Sequence, residues 1–424
     1  MSPHPFHRLV PVALAALIAL DAASIPQARA QTPDAGKREP TMTAPQGSKV
    51  AQTGRKADEL RAILPRIKLP PGFRIGLHAV VPHARSMAVA PSGDLLFVGT
   101  RMSSVWVVAR DGSANTLDVE KFAPSLGFRI PNAVCWTPAG ALIVVELNRV
   151  RSFPSAASLR AGRGVVVRDV VPQGRLIPPE EEAPNHGARV CRVGPDGKLY
   201  IAIGQPFNVQ PRDKLALYAQ WGIGGIVRMN LDGSGREIYA SGIRNSVGMD
   251  FNPRDKTLWF TDNQTDGMGD EIPKGEINRA TKPGQFFGYP YIVSRTRITE
   301  FGYDKDTLPA GAVDPQVMTD AHAADLGMAF YTGTQFPAKY RNGFFSAQHG
   351  SWNRSKPIGA RLLFTSLKED GSAGRTEVFA EGWLDDATGN YHGQPVDVAV
   401  ANDGSLLVSD DRAGAIYRIS YAAP

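Results

Sequence analysis

Six times between Ser86 and Asp411 the chain repeats one short pattern, and this repetition limits its fold more than any other feature. The copies begin with SMAVAPSGDLLFVGT from Ser86, NAVCWTPAGALIVVE from Asn132 and ARVCRVGPDGKLYIAIG from Ala188. SVGMDFNPRDKTLWFTDN from Ser246, the looser GMAFYTGTQFPAKYRNGFFSAQ from Gly327 and VDVAVANDGSLLVSDD from Val396 complete the set. Each joins a short alternating apolar strand to a second one through a turn built from Pro, Asp, Asn or Gly. Alternation at period two marks strands, and these turn residues allow tight reversals. Runs such as VWVVARDG, GIVRMNLDG and RLLFTSLKEDG lie between the copies. They bring each unit to about four strands in about 60 residues, the layout of a β-propeller. The expected fold is therefore all-β, a six-bladed β-propeller with four-stranded blades over residues 69–424. No long amphipathic helix pattern competes, and a pair of β-sandwiches would not repeat in this way. The wide gap between the fourth and fifth units implies a long insertion over 266–324.

The ends read differently. Arg8 is followed by the apolar run LVPVALAALIAL and then by Ala28-Arg29-Ala30, the layout of a secretory signal peptide over residues 1–30. The run is shorter than the roughly 20 residues a membrane span needs, so no stable membrane insertion is expected after cleavage. Residues 31–68 are expected to be a flexible leader, because Gln31 to Lys56 carries almost no large apolar side chains to offset ordering entropy. The expected location is the periplasm.

Net charge is +6, and the basic residues are scattered rather than clustered, which argues against nucleic-acid binding. Cys135 and Cys191 have no metal-site spacing. Cys135 follows an Ala by two positions in NAVC and Cys191 by three in ARVC, each just ahead of a turn, so both are expected at equivalent inner-strand positions of neighbouring blades. Two buried thiols and one disulfide are both compatible with that pattern.

A propeller gathers the loops of successive blades around one central opening, so residues at equivalent strand ends converge there. The stretch NHGARVCRVGPDGKLYIAIGQPFNVQ, from Asn185 to Gln210, resembles the third-blade motif of the pyrroloquinoline-quinone sugar dehydrogenases, the soluble aldose and sorbosone type. SGIRNSVGMDFNP, FTDNQTDGMGDEIPKGEINRATKPGQFFGYPY and LGMAFYTGTQFPAKYRNGFFSAQHGSWNRSK resemble further motifs of that family, and the similarity extends from about Leu69 to the end. The resemblance implies that His186 is the catalytic base and that Arg244 polarises the quinone. It implies that Arg101, Gln210, Arg244 and Asn245 contact the cofactor, and that backbone carbonyls of Gln264 and Thr265 hold calcium. Pyrroloquinoline quinone and calcium are the implied cofactors, with a small-molecule sugar as substrate. No Cys-x-x-Cys-His haem motif is present, so electrons are expected to pass to an external acceptor.

The chemistry of these residue types agrees. Oxidising a sugar hydroxyl requires removal of its proton while hydride leaves carbon. A neutral imidazole, with an ordinary pKa of ~6.5, takes a proton near neutral pH. A quinone oxygen gaining charge is stabilised by an arginine and a divalent cation, as in an oxyanion hole.

The sequence also departs from the family pattern. Where the aldose branch has a lysine, this chain has His349, and where it has two arginines this chain has Gln394 and Val396. His349 and Gln394 are retained as expected cofactor contacts, and Arg354, Lys356 and Arg361 are nearby candidates to compensate. His322 and His392 on long loops, and Trp352, Tyr331 and Tyr291 near strand ends, suit either the site or ordinary packing. The loop from Asp262 is no EF-hand, because Pro273 stands where the twelfth-position Glu belongs. Asp262, Asp266, Asp270 and Glu271 either order this loop or bind calcium.

Three functions compete at this level: a quinone-dependent dehydrogenase making lactone or acid from an aldose or sorbosone-like aldehyde, a calcium-dependent propeller lactonase or esterase, and a non-catalytic binding module. A lactonase would need carboxylate and Asn side chains converging on a central metal, whereas the acidic candidates here cluster in one loop.

Overall fold

The computed structural model describes residues 41–42, 49–110, 117–156 and 165–422. The expected signal peptide, and residues 31–40 and 43–48 of the expected leader, lie outside these residues. The described part is a six-bladed β-propeller, each blade built on four antiparallel strands.

The repeat pattern supplies the two inner strands of every blade. Blade one begins with Met87–Val89 and Leu95–Val98, and blade two with Ala133–Trp136 and Leu142–Val145. Blade three begins with Val190–Val193 and Leu199–Ile203, and blade four with Met249–Phe251 and Leu258–Asp262. Asp325–Phe330 and Gly343–Gln348 open blade five, and Pro395–Val400 and Leu406–Asp410 open blade six. The second strand of each blade is buried along its whole length, which explains why LLFV, LIVV and LYIAI read as continuous apolar runs.

Blade six shows how the ring closes. Its outer strand is Phe73–Val80, near the start of the described propeller, paired antiparallel with Ala415–Tyr421 from the end. The ends of the propeller are thus joined by backbone hydrogen bonds rather than by chain connectivity. Side chains fasten adjacent blades. Asp397 accepts the Met87 N–H at 2.8 Å, Asp250 accepts the Phe330 N–H at 2.8 Å, and Asn132 donates to the Arg189 carbonyl at 2.7 Å. Inner strands approach so closely that a Cβ on Gly248 would lie 2.1 Å from the Leu326 carbonyl oxygen.

Cys135 and Cys191 occupy the innermost strands of blades two and three and form a disulfide, with Cα atoms 6.0 Å apart. This resolves the alternative that the sequence left open.

Two expectations need correction. The leader does not extend to residue 68, because helix α1 (Arg55–Ile63) lies within it and buries Ala57 and Leu60 in the core beside Tyr340 and Trp383. Ala57, Leu60 and Leu64 share one helical face, a three-to-four-residue spacing diluted by the surrounding polar composition. The insertion is also narrower than 266–324. Glu276–Ala280 and Val317–Met318 are the third and fourth strands of blade four, leaving 281–316 as the excursion. Part of it, Gln285–Phe286, adds a fifth, parallel strand to blade three. No helix among the described residues is long and apolar enough to cross a membrane.

Candidate active site

His186 precedes the first strand of blade three in a left-handed backbone conformation, φ 51°. Buried Arg189 pins that segment by donating to the carbonyls of Leu147 at 3.1 Å, His186 at 3.1 Å and Gly204 at 3.2 Å. The His186 Nδ1 lies against the Gln205 carbonyl oxygen. A carbonyl only accepts, so Nδ1 carries the hydrogen and Nε2 keeps a free lone pair. Burial, then the Arg244 charge, push the His186 pKa down to about 3. The ring is therefore neutral across ordinary pH, and a weaker base than the unperturbed value of ~6.5 suggests.

Arg244 and Asn245 lie just ahead of blade four. Asp262, fully buried, accepts both backbone N–H groups, that of Arg244 at 3.1 Å and that of Asn245 at 2.8 Å. A third donor, Gln264 Nε2, reaches Asp262 at 3.0 Å. The Arg244 guanidinium bridges two loops. It donates to Asn208 O at 2.8 Å, Asn208 Oδ1 at 3.0 Å and Asn263 O at 3.1 Å, and pairs with Asp266 at 3.3 Å. Gly204 lets blades three and four meet, since a Cβ there would lie 2.4 Å from Asn245 Oδ1 and 3.0 Å from His186 Cβ.

These residues line one cavity of about 230 Å³. Of the residues expected at the site, it gathers His186, Arg244, Asn245, Gln264, Arg101 and His349, with His322 and the largely exposed Trp352 also on its lining. Gln210, Thr265 and Gln394 are not part of the lining. The Gln210 N–H donates to the Tyr289 hydroxyl at 2.6 Å, and its carbonyl accepts from Tyr303 at 2.9 Å, which ties it to the insertion. Gln394 stands one layer back, donating to the His349 carbonyl at 3.2 Å. Val396 lies deeper along the axis beside Asp397.

Arg354 is held by the Asp270 carbonyl and Glu271, and Arg361 by Gln348 and Asp320. Neither they nor Lys356 reach the cavity, so they do not compensate for the missing family cations. Asp270 receives the Ser355 N–H at 3.1 Å, and Glu271 pairs with Arg354 at 2.8 Å, so these two carboxylates order the loops. Tyr331 is core, donating to the Gly404 carbonyl at 2.7 Å, and Tyr291 packs edge-on against Tyr303. His392 is absent from the cavity lining as well.

Sequence reasoning missed Arg85 and Asp411. Arg85 is buried in the cavity wall, donates to Asn132 Oδ1 at 2.8 Å and pairs with Asp411, which also contacts His349 Nε2 at 2.8 Å. The available signal was positional: Arg85 precedes Ser86 as Asn245 precedes Ser246. Burial pushes the Asp411 carboxyl up, but the hydrogen bond with His349 and the charge of Arg85 outweigh it and hold it well below the usual range.

The cavity chemistry fits an anionic quinone and a hard cation. Arg85, Arg101 and Arg244 line it with Asp266 as the one lining carboxylate among the described residues, and Asp411 pairs with Arg85 from behind the lining, which leaves a surplus of positive charge. The buried oxygens Asn245 Oδ1 and Gln264 Oε1 have no donor. Among the described residues no cluster of three or more His, Cys, Asp or Glu could hold a metal, so a calcium ion here would rest on carbonyl and amide oxygens.

The family model for glucose and sorbosone dehydrogenases matches residues 175–418. An uncharacterised protein of Borreliella burgdorferi is 36% identical over 246 residues, covering 57% of this chain and 62% of that protein. The aldose sugar dehydrogenase YliI of Escherichia coli is 29% identical over 188 residues, 40% of this chain and 47% of that one. The chain thus spans about three fifths and about half the length of these curated relatives. Among solved structures, the PQQ domain of pyranose dehydrogenase from Coprinopsis cinerea superposes with a TM-score of 0.67 at 16% identity, over 89% of this chain and 100% of that one, a likeness of fold.

Proposed function

The chain belongs to the glucose and sorbosone dehydrogenase family, and on that premise we propose that it is an exported, periplasmic quinoprotein. It oxidises an aldose, or a sugar-derived aldehyde of the sorbosone kind, to lactone or acid. Pyrroloquinoline quinone and calcium are its cofactors, and an external acceptor takes the electrons. The observation that carries this reading is the pairing of a neutral, tautomer-fixed His186 with three arginines around one cavity. The Cys135–Cys191 bridge supports an oxidising compartment.

Bound in the cavity, the quinone would supply the two-electron acceptor for hydride from the sugar carbon. Arg244, Asn245 and Arg101 would orient it, and oxygens of Gln264 would hold calcium at the cavity wall, with Thr265 off the lining. His186 Nε2 takes the hydroxyl proton, since Nδ1 is committed to Gln205. The proton then leaves by exchange at the open mouth, where Trp352 stands 81% exposed. Arg244 places a fixed positive charge beside the acceptor without reorganising, because its donors are already anchored to Asn208 and Asn263.

The test is reconstitution. Purified protein with quinone and calcium should shift the quinone absorbance and reduce a dye when aldoses are added. Absence of any absorbance change across micromolar quinone would sink the reading.

A further inference from the structure

We propose that Arg85 and Arg101 form a carboxylate-binding subsite in the cavity wall, with Asp411 as a competing anion that sets its strength. Its ligand class is a planar aromatic polycarboxylate. The inference rests on the quinone reading for the ligand's identity, though not for the subsite's chemistry.

The geometry carries the argument. Arg85 is 5% exposed and lies in the wall, its Nε committed to Asn132 and its Nη1 to Asp411. Nη2 has no protein partner among the described residues. Arg101 reaches the same cavity and spends one N–H on the Pro184 carbonyl at 3.1 Å, leaving the rest of its fork open. A planar fork of unused donors matches a carboxylate. The charge balance points the same way. Asp266 is paired with Arg244, and Asp411 is divided between Arg85 and His349, so no carboxylate is left for Arg101. Burial is the main cause that lowers the Arg101 pKa, the neighbouring Arg85 charge adds a repulsion, and Asp411 offsets part of it. A ligand carboxylate between them removes that repulsion. Blade one thereby supplies the cations that blades five and six lack at His349, Gln394 and Val396.

Two probes test this by calorimetry on the apoprotein: pyridine-2,4-dicarboxylate, which has no redox chemistry, and pyrroloquinoline quinone. Arg85→Met should weaken both by ~10–100-fold, the range for a charge-assisted hydrogen bond, and Arg85→Lys should restore part of the loss. Asp411→Asn should act in the opposite direction, tightening both by ~3–10-fold as Arg85 is released from its internal partner. A purely structural role for this ion pair predicts weaker binding in Asp411→Asn. That result, or unchanged affinity in Arg85→Met, overturns the proposal, and the Asp411 arm still decides if Arg85→Met does not fold. Dicarboxylate binding that depends on Arg85, without quinone-dependent sugar oxidation, would uphold the subsite and remove the dehydrogenase reading. Sugar oxidation with unchanged quinone affinity in Arg85→Met would do the reverse.

Discussion

The carboxylate of Asp262 accepts the backbone N–H of Asn245 at 2.8 Å, from a position with no solvent exposure. The same carboxylate accepts the Arg244 N–H and the Gln264 amide, so one buried side chain sets three residues of the cavity wall. Its strand partner Glu276 is buried as well, and burial together with that neighbouring charge pushes the Asp262 pKa up. The arrangement is costly in isolation and is offset by the three donors.

Asp262→Asn should therefore disturb the site. An amide cannot accept at both ends, and one donor is left facing another. A destabilisation of about 1–3 kcal/mol is expected, with weaker quinone binding. Chemical denaturation and quinone titration check this, and a variant with parent stability and parent affinity contradicts it.

His186 should not titrate near neutrality in the apoprotein. Its folded pKa of about 3 lies below the unfolded value of ~6.5, so between those limits the unfolded chain binds the extra proton. Stability from this group is fully present above pH ~6.5 and declines as pH falls toward ~3. Imidazole NMR signals assigned by comparison with His186→Ala should stay flat from pH 8 to 5. An inflection near 6.5 would show that the ring is solvated.

In the reconstituted enzyme, His186→Ala should leave quinone affinity largely intact and lower turnover by ~10²–10⁴-fold. Arg244→Ala should weaken both binding and turnover, because it removes a cavity cation and the link between Asn208 and Asn263. Parent turnover in the histidine variant would refute its role as base.

Calcium removal should lower quinone affinity, since the ion would neutralise anionic oxygens that a reduced arginine set leaves exposed. Titration in a strong chelator measures it. Equal affinity with and without the chelator rules the metal role out.

Cutting the Cys135–Cys191 bridge should destabilise the ring. A closed loop of 56 residues corresponds to about 4 kcal/mol of lost unfolded-state entropy at most. Double substitution to alanine, or reduction, should lower the melting temperature, and an unchanged value would contradict a bridge that staples blades two and three.

Several parts of this molecule were legible in the chain itself. Strand and turn chemistry act over a few residues, so the alternation in SMAVAPSGDLLFVGT and its five relatives announces paired strands directly. The blade count followed from repetition. His186, Arg244 and Asn245 were singled out by the resemblance of their motifs to the family, and their position just ahead of a repeat pointed to the central opening. The expected reach of the leader failed because α1 buries Ala57 and Leu60 in the apolar cluster that also holds Tyr340 and Trp383, distant in sequence, and composition alone does not register such burial. Gln210 was expected at the cofactor because the family resemblance places a glutamine a few residues after that blade strand. The structure turns it toward Tyr289 and Tyr303, which arrive on an excursion whose path the sequence does not reveal.

By itself, then, the sequence determined the repeating unit, the number of blades and the residues that open them, because each depends on local periodicity. Only the tertiary structure decided that the two cysteines bridge, and that Asp262 holds the Arg-Asn pair from behind. It alone placed Arg85 against Asp411, 326 residues apart in the chain. That contact exists because Phe73–Val80 closes the ring beside Ala415–Tyr421 and sets the first blade against the sixth. Charge complementarity between residues so far apart is a property of the closed ring and has no local signature.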